Sequence, residues 1–159
     1  MNKKHIFLFV FVLLLDQVSK MVVHINMQLH ESISIIPGFF QLTYLHNTGA
    51  AWSMFEGKRS FFLVISVVAF IAMLYFYKNS AKSDFLTRNG LILMMAGTVG
   101  NFIDRISLHY VRDFLNFCIF GYDFPVFNIA DVALCVGVFL IVVSVFMDEF
   151  YGGVHTCEK

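Results

Sequence analysis

Four apolar stretches, separated by polar segments, dominate the pattern along the chain. Ile6 to Leu15 is unbroken, and the run resumes at Met21-Val22-Val23 after Asp16, Gln17, Ser19 and Lys20. Phe61 to Tyr77 carries no charge; Asn89 to Ile106 carries Asn101, Asp104 and Arg105 near its end; Asn128 to Met147 carries Asp131 near its start. Each approaches the roughly 20 residues that a helix needs to cross a bilayer. Spans are expected at about 5–23, 61–77, 89–106 and 128–147. They are expected to be helices, because a lone strand in lipid leaves its backbone polar groups unpaired. Asn2-Lys3-Lys4 before ten apolar residues also resembles a signal peptide. No Ala-x-Ala-like cleavage site follows, so the segment is read as a retained span.

The remaining segments read differently. In 24–60, Ile33-Ser34-Ile35-Ile36 precedes a Pro37-Gly38 turn signal, after which Phe40, Leu42 and Tyr44 alternate with Gln41, Thr43 and Leu45. That period of two predicts short strands. Residues 107–127 mix aromatics with Asp113 and Asp123, punctuated by Gly121 and Pro125. Together the two segments predict a small sheet lying on one membrane surface. The linker Lys78 to Arg88 is short and basic. Lys and Arg flanking the spans favour both termini on the cytoplasmic side, which puts the two longer segments outside. The tail 148–159 is expected to be disordered.

Composition sharpens this picture. Hydrophobic residues make up 58% of 159 and charged residues 14%, against roughly 25% charged in soluble domains. A chain this small cannot hide that much apolar surface within itself. Net charge is zero, so nothing points to nucleic acid. Three widely spaced Cys without a CxxC argue against a disulfide framework or a zinc site.

Ionisable groups in a span cost about 2.5–3.5 kcal/mol at its centre. With both termini inside, Asp16, Lys20, Asp104, Arg105 and Asp131 all fall at the outer ends of their spans, with Asp113 in the outer segment between the last two. Asp16 and Lys20 are four apart and form an ion pair on a helix. Asn101 and Asp104, and again Asn128 and Asp131, are three apart and share a helix face. Arg105 is expected to pair with Asn101 or with a carboxylate from another segment. Two carboxylates brought together in a low dielectric cannot both ionise easily; one keeps a proton. Such a pair activates water and protonates a leaving nitrogen. Asp113 and Asp131 are the candidates; Asp123 competes on spacing but reads as a turn residue. No HExxH, GxSxG or P-loop is present. Alternative readings are a proton-coupled carrier using the same acids and a membrane assembly factor with a structural polar cluster.

Five blocks occur in order: Asp16-Gln-Val-Ser-Lys20, Asn47-Thr-Gly-Ala-Ala-Trp52, Gly100-Asn-Phe-Ile-Asp-Arg105, Val111-Arg-Asp-Phe114 and Phe127-Asn-Ile-Ala-Asp131. Together they resemble the lipoprotein signal peptidase (signal peptidase II) family of bacteria, over about residues 6–147. The resemblance implies a mainly α integral membrane protein with four transmembrane helices, an extracytoplasmic β-cradle and a short outer helix, forming one membrane domain over 1–159. It implies an aspartic endopeptidase of the cytoplasmic (inner) membrane, needing no metal or other cofactor. Its substrates are prolipoproteins whose lipobox Cys carries diacylglycerol, cut just before that Cys. Membrane lipids and cyclic peptide inhibitors are its other expected partners, and a monomer is expected. Carried over, Asp113 and Asp131 form the catalytic dyad, and Asp16, Lys20, Asn47, Gly49, Asn101, Asp104, Arg105, Asn128 and Ala130 line or brace the site. Gly49-Ala50-Ala51 would offer a slim wall to the substrate, with Trp52 and the Phe39/Phe40 pair against its lipid. Arg112 stands where the family usually has a small or apolar residue; in an extended segment it would point away from Asp113.

Overall fold

A computed structural model of the protein describes residues 2–49 and 57–152. Ala50, Ala51 and Trp52, named above for the substrate wall and lipid grip, lie outside the described residues. The chain runs α1 (Lys3–Asn26), β1 (Ser32–Ile36), β2 (Phe40–Asn47), α2 (Arg59–Asn79), α3 (Phe85–Ser107), β3 (Val111–Ile119), β4 (Tyr122–Asp123) and α4 (Ile129–Gly152). The helices match the four apolar stretches to within a few residues, except that α4 continues to Gly152. Residues 148–152 are therefore helical, not disordered, since Met147-Asp148-Glu149-Phe150 contains no helix breaker; the remainder of that tail, 153–159, lies outside the described residues. No short outer helix occurs among the described residues; 111–123 is strand and turn.

Among the described residues, α1, α2 and α4 are long and apolar enough to cross a membrane. Their outer faces are large and apolar: Phe7, Ile25, Val64, Ile71, Phe139 and Val145 are all exposed. The third helix differs because of where it sits. It packs against each of the other three, so little of it needs to be lipid-like, and it carries Gly90, Gly97, Gly100, Asn101 and Asp104 among its buried residues. Small residues set the spacing there. A Cβ on Gly90 would fall 2.6 Å from the Gly137 carbonyl oxygen, and one on Gly137 equally close to that of Gly90.

The strands form one antiparallel sheet in the order β1-β2-β3-β4. Register gives it two unlike faces. Ser34, Gln41 and Asn116 form one row and Ser32 and Thr43 another, whereas Ile33, Leu42 and Leu115, with Ile36, Phe40 and Phe117, line the opposite side. The sheet sits where α1 and α3 end and where α2 and α4 begin. Arg59 fastens that end, donating to the carbonyls of Arg105 (2.8 Å) and Ile106 (3.1 Å) at the close of α3. Val23, Met27, Tyr44 and Phe114 form the apolar junction between α1 and the sheet.

Candidate active site

The site is built around the first turn of α4. Asn128 is its N-cap: its carbonyl accepts from Val132 N–H at 3.2 Å and its side-chain oxygen from Asp131 N–H at 3.1 Å. The Asp131 carboxylate reaches back to Asn128 N–H at 3.1 Å. This reciprocal capping box satisfies two of the donors a helix N-terminus leaves open. A third, Ala130 N–H, donates to Asp16 Oδ1 at 2.9 Å from across the bundle. Asp16 comes this close because Gly100 faces it: a Cβ there would lie 2.5 Å from Asp16 Oδ2. Two carboxylates thus gather at a helix N-terminus, where the backbone dipole favours negative charge.

The other carboxylate arrives on β3. A short backbone ladder between Phe114-Leu115 and Phe127, at 2.8–3.0 Å, ties β3 to the residue preceding the N-cap. Asp113 therefore falls beside Asn128, whose Nδ2 donates to Asp113 Oδ1 at 2.6 Å. On the far side β2 shifts register between Leu42 and Leu45. Such irregularities re-aim side chains, and Asn47 Nδ2 donates to Asp113 Oδ2 at 2.8 Å. Asn128 is thus shared, with its amide group on Asp113 and its backbone and side-chain oxygen on Asp131. Asp113 is 2% exposed; Asp131 is partly open. Burial, and then the charge of Asp131, push Asp113 up to about 7.

Behind the pair lies a buried ionic network. Lys20, fully buried, donates to Asp16 Oδ2 and to Asn101 Oδ1, both at 2.9 Å, and stands 3.7 Å from Asp104. Asn101 Nδ2 donates to Asp131 Oδ1 at 2.7 Å. Asp104 is held by Arg112 through the backbone N–H (3.0 Å), Nε (3.1 Å) and a guanidinium nitrogen at 2.6 Å. Two anions and two cations balance, as buried charges require. Arg112 and Asp113 are strand neighbours serving opposite sides of β3, as alternation dictates.

The site residues expected from the sequence are brought together with one exception in detail. Arg105 pairs with neither Asn101 nor a carboxylate. It donates to the Gly49 carbonyl at 3.0 Å and lies over the Phe62 ring at 4.6 Å. The reason is competition: Lys20 and Asp131 already occupy Asn101, while Arg112 and Lys20 occupy Asp104. Arg105 Nε is buried with no partner among the described residues. Gly49 N–H caps Asn47 Oδ1 at 2.9 Å. Asp123 is exposed on β4, paired with Cys118 at the far end of β3. No group of three or more His, Cys, Asp or Glu suited to a metal occurs among the described residues.

A sequence profile described as signal peptidase (SPase) II matches residues 8–147. The chain belongs to the signal peptidase II family. A lipoprotein signal peptidase of Staphylococcus aureus (strain bovine RF122 / ET3-1) is 41% identical over 153 residues, covering 93% of this chain and 94% of that protein. The protein of S. aureus strain Newman has the same identity and coverage. Two solved structures of bacterial membrane enzymes, determined by the in meso method, share the fold. The one at 2.3 Å resolution has a TM-score of 0.90 at 38% identity, over 98% of this chain and 93% of that one. The one at 1.9 Å has a TM-score of 0.84 at 41% identity, over 91% and 94%.

In this signal peptidase II family member, two contributors escaped the sequence reading. Gln17 donates to Asp16 Oδ2 (2.9 Å) and to the Gly100 carbonyl (3.1 Å) and accepts from Arg112 at 3.2 Å. It links three of the five blocks, and its place beside Asp16 was the available signal. Tyr44 is the other: its buried hydroxyl lies 2.7 Å from His24 Nδ1 and 2.9 Å from His46 Nε2. It braces β2 against α1 just before Asn47, and no short-range pattern announces that.

Proposed function

We propose that the protein is an aspartic endopeptidase that removes signal peptides from diacylglyceryl-modified prolipoproteins, cutting just before the lipidated Cys, with Asp113 and Asp131 as its catalytic dyad. The observation that carries this reading is the Asn128 bridge. One side chain and its backbone hold both carboxylates, one buried and one partly open, beside the end of a bundle with lipid-facing walls. One carboxyl keeps a proton and the other is ionised. The ionised one takes a proton from water as the oxygen attacks the scissile carbonyl carbon. The protonated one gives its proton to the carbonyl oxygen. The resulting diol collapses as the leaving nitrogen is protonated. No metal takes part.

Membership of a lipoprotein signal peptidase family supports the substrate class. The fold supports the location: α3 serves as a fourth span, central and shielded by the others, and both termini lie in the cytoplasm. The sheet and dyad then lie at the extracytoplasmic face of the inner membrane. There the acyl chains enter sideways from lipid while water reaches Asp131 from outside. Asp16, Lys20, Asn101, Asp104, Asn128 and Ala130 brace the pair; Asn47, Gly49 and Arg105 line the entrance. Phe39 and Phe40, packed on Phe117 at 5.6 and 4.6 Å between ring centres, offer an apolar surface to the lipid-bearing end. The chain works as a monomer, and cyclic peptide inhibitors of the family compete for the same pocket.

Purified protein in detergent, given a prolipoprotein with and without its diacylglyceryl group, tests this. Conversion of the lipidated form alone, with mass spectrometry placing the new N-terminus at the modified Cys, is expected. A folded protein that leaves the lipidated form intact would refute the reading and favour a carrier or assembly role.

A further inference from the structure

We propose that Lys20 is a positioning residue that, through the Asn101 amide, keeps Asp131 the ionised member of the dyad and leaves the resting proton on Asp113. This assignment rests on the aspartic reading above. An ammonium group can only donate. Lys20 therefore faces the oxygen of Asn101, and the Asn101 NH2 must turn the other way, onto Asp131 Oδ1. The amide cannot flip without setting donor against donor. A hydrogen bond donated to a carboxylate favours its charged form. Asp131 receives a second from Asn128 N–H, at a helix N-terminus. It is also the partly open carboxylate, where water can solvate its charge.

Asp113 also accepts two hydrogen bonds, but it lacks the helix N-terminus, the opening to water and the link to an ammonium group. It is on a strand, 2% exposed, and its two donors are neutral amides whose oxygens are held by backbone N–H groups, of Gly49 and Asp131. The other charged groups nearby do not reverse the order. Arg112 on β3 is committed to Asp104 of α3, and Asp16 of α1 is matched by Lys20. Arg105 of α3 interacts with both dyad carboxylates, more with Asp131 than with Asp113, which does not reverse the order. The elevation of Asp113 to about 7, from burial and the Asp131 charge, runs in the same direction. Asp131 then takes the proton from water as the new C–O bond forms, and Asp113 protonates the carbonyl oxygen. As the C–N bond breaks, Asp131 passes its proton to the leaving nitrogen, and a diol hydroxyl returns one to Asp113. Both residues end as they began.

The test is a carbon-13 NMR titration of the Asp carboxyls in the full-length protein in micelles, with the two resonances assigned from D113N and D131N. Asp131 is expected to titrate at the lower pH; the reverse order overturns the proposal. Activity profiles give a second measure. Asn101→Leu is expected to raise the acid limb by about one pH unit, a roughly tenfold loss below that limb. Asn47→Leu should instead raise the alkaline limb. Lys20→Met should move the acid limb in the Asn101→Leu direction, and Lys20→Arg should restore it. A merely structural Lys20 would lower the folded fraction and leave the limb in place, which also overturns the proposal. Cleavage by D113N or D131N would remove the dyad itself. Swapped limbs with both of those variants inactive would remove only this assignment.

Discussion

Replacing Lys20 by Met separates a structural ion pair from a decorative one. Met has similar length and volume, so the change removes charge and donors with little cavity. Lys20 is fully exposed to protein and not at all to solvent, with two contacts of 2.9 Å and Asp104 at 3.7 Å. Asp104 keeps its three Arg112 donors, and Asp16 keeps Ala130 N–H and Gln17. What is lost is the cation that offsets a buried Asp16, together with the donor to Asn101 Oδ1. Breaking a buried pair on one side costs roughly 3–5 kcal/mol, a large part of an ordinary 5–15 kcal/mol stability. Adding Asp16→Asn removes the stranded charge, so the double variant should recover part of that loss. Unfolding in mixed micelles with increasing SDS, for wild type, both single variants and the double, gives the coupling energy. A Lys20→Met cost below about 1 kcal/mol, the value for an exposed pair, with no coupling to Asp16, would refute the network.

Three further outcomes follow from the same geometry. Asp113 in the folded protein titrates near 7, above its ordinary 3.8. The native state therefore holds the extra proton, and the stability this gives below pH 3.8 is lost as pH rises through about 7. Asp113→Asn should accordingly gain on wild type by up to about 4 kcal/mol above neutrality, less what the amide loses against its two donors, and the gap should close toward pH 4; melting curves across that range would show it. A chelator should leave cleavage unchanged; loss with EDTA and recovery with zinc would return a metal mechanism. Gly90→Ala places a methyl 2.6 Å from the Gly137 carbonyl oxygen, and backbone cannot yield as a side chain does. A loss of roughly 1–3 kcal/mol is expected from such overpacking, measured by the same SDS titration, whereas Gly38→Ala meets no neighbouring atom and loses only the ease of a positive φ.

Much of this architecture is legible in the chain because lipid imposes a coarse code. Apolar runs of span length mark α1, α2 and α4 by composition alone. The third helix is fainter, since a helix surrounded by helices is freed from looking like lipid. The apolar pattern places its start at Asn89, whereas the helix begins at Phe85 because Asp84 caps Thr87 N–H at 3.0 Å; only its charged end at Asp104-Arg105 is marked in the sequence. The β2 alternation showed a strand but not the register shift beside Asp113, which depends on β3. The spacing of Asn128 and Asp131 signalled a shared face, and the reciprocal cap is its physical meaning. Arg105 and Arg112 mark the limit. Sequence says that each basic side chain needs an acceptor, but which acceptor is decided by what has already been taken. Arg112 gains Asp104 because β3 runs alongside the end of α3, so Arg105 turns to Gly49 and Phe62. Tyr44 with His24 and His46 is equally invisible, because it joins a helix to a strand twenty residues on.

The claim on which the rest depends is that the two carboxylates joined by Asn128 do the chemistry. Wild type, D113N and D131N, each purified and shown folded in the same detergent, should be compared on one diacylglyceryl-modified prolipoprotein by gel shift. Complete conversion by wild type and a loss of at least about a thousandfold in each variant are expected; near-normal conversion by either variant would mean that the pair does not do the chemistry.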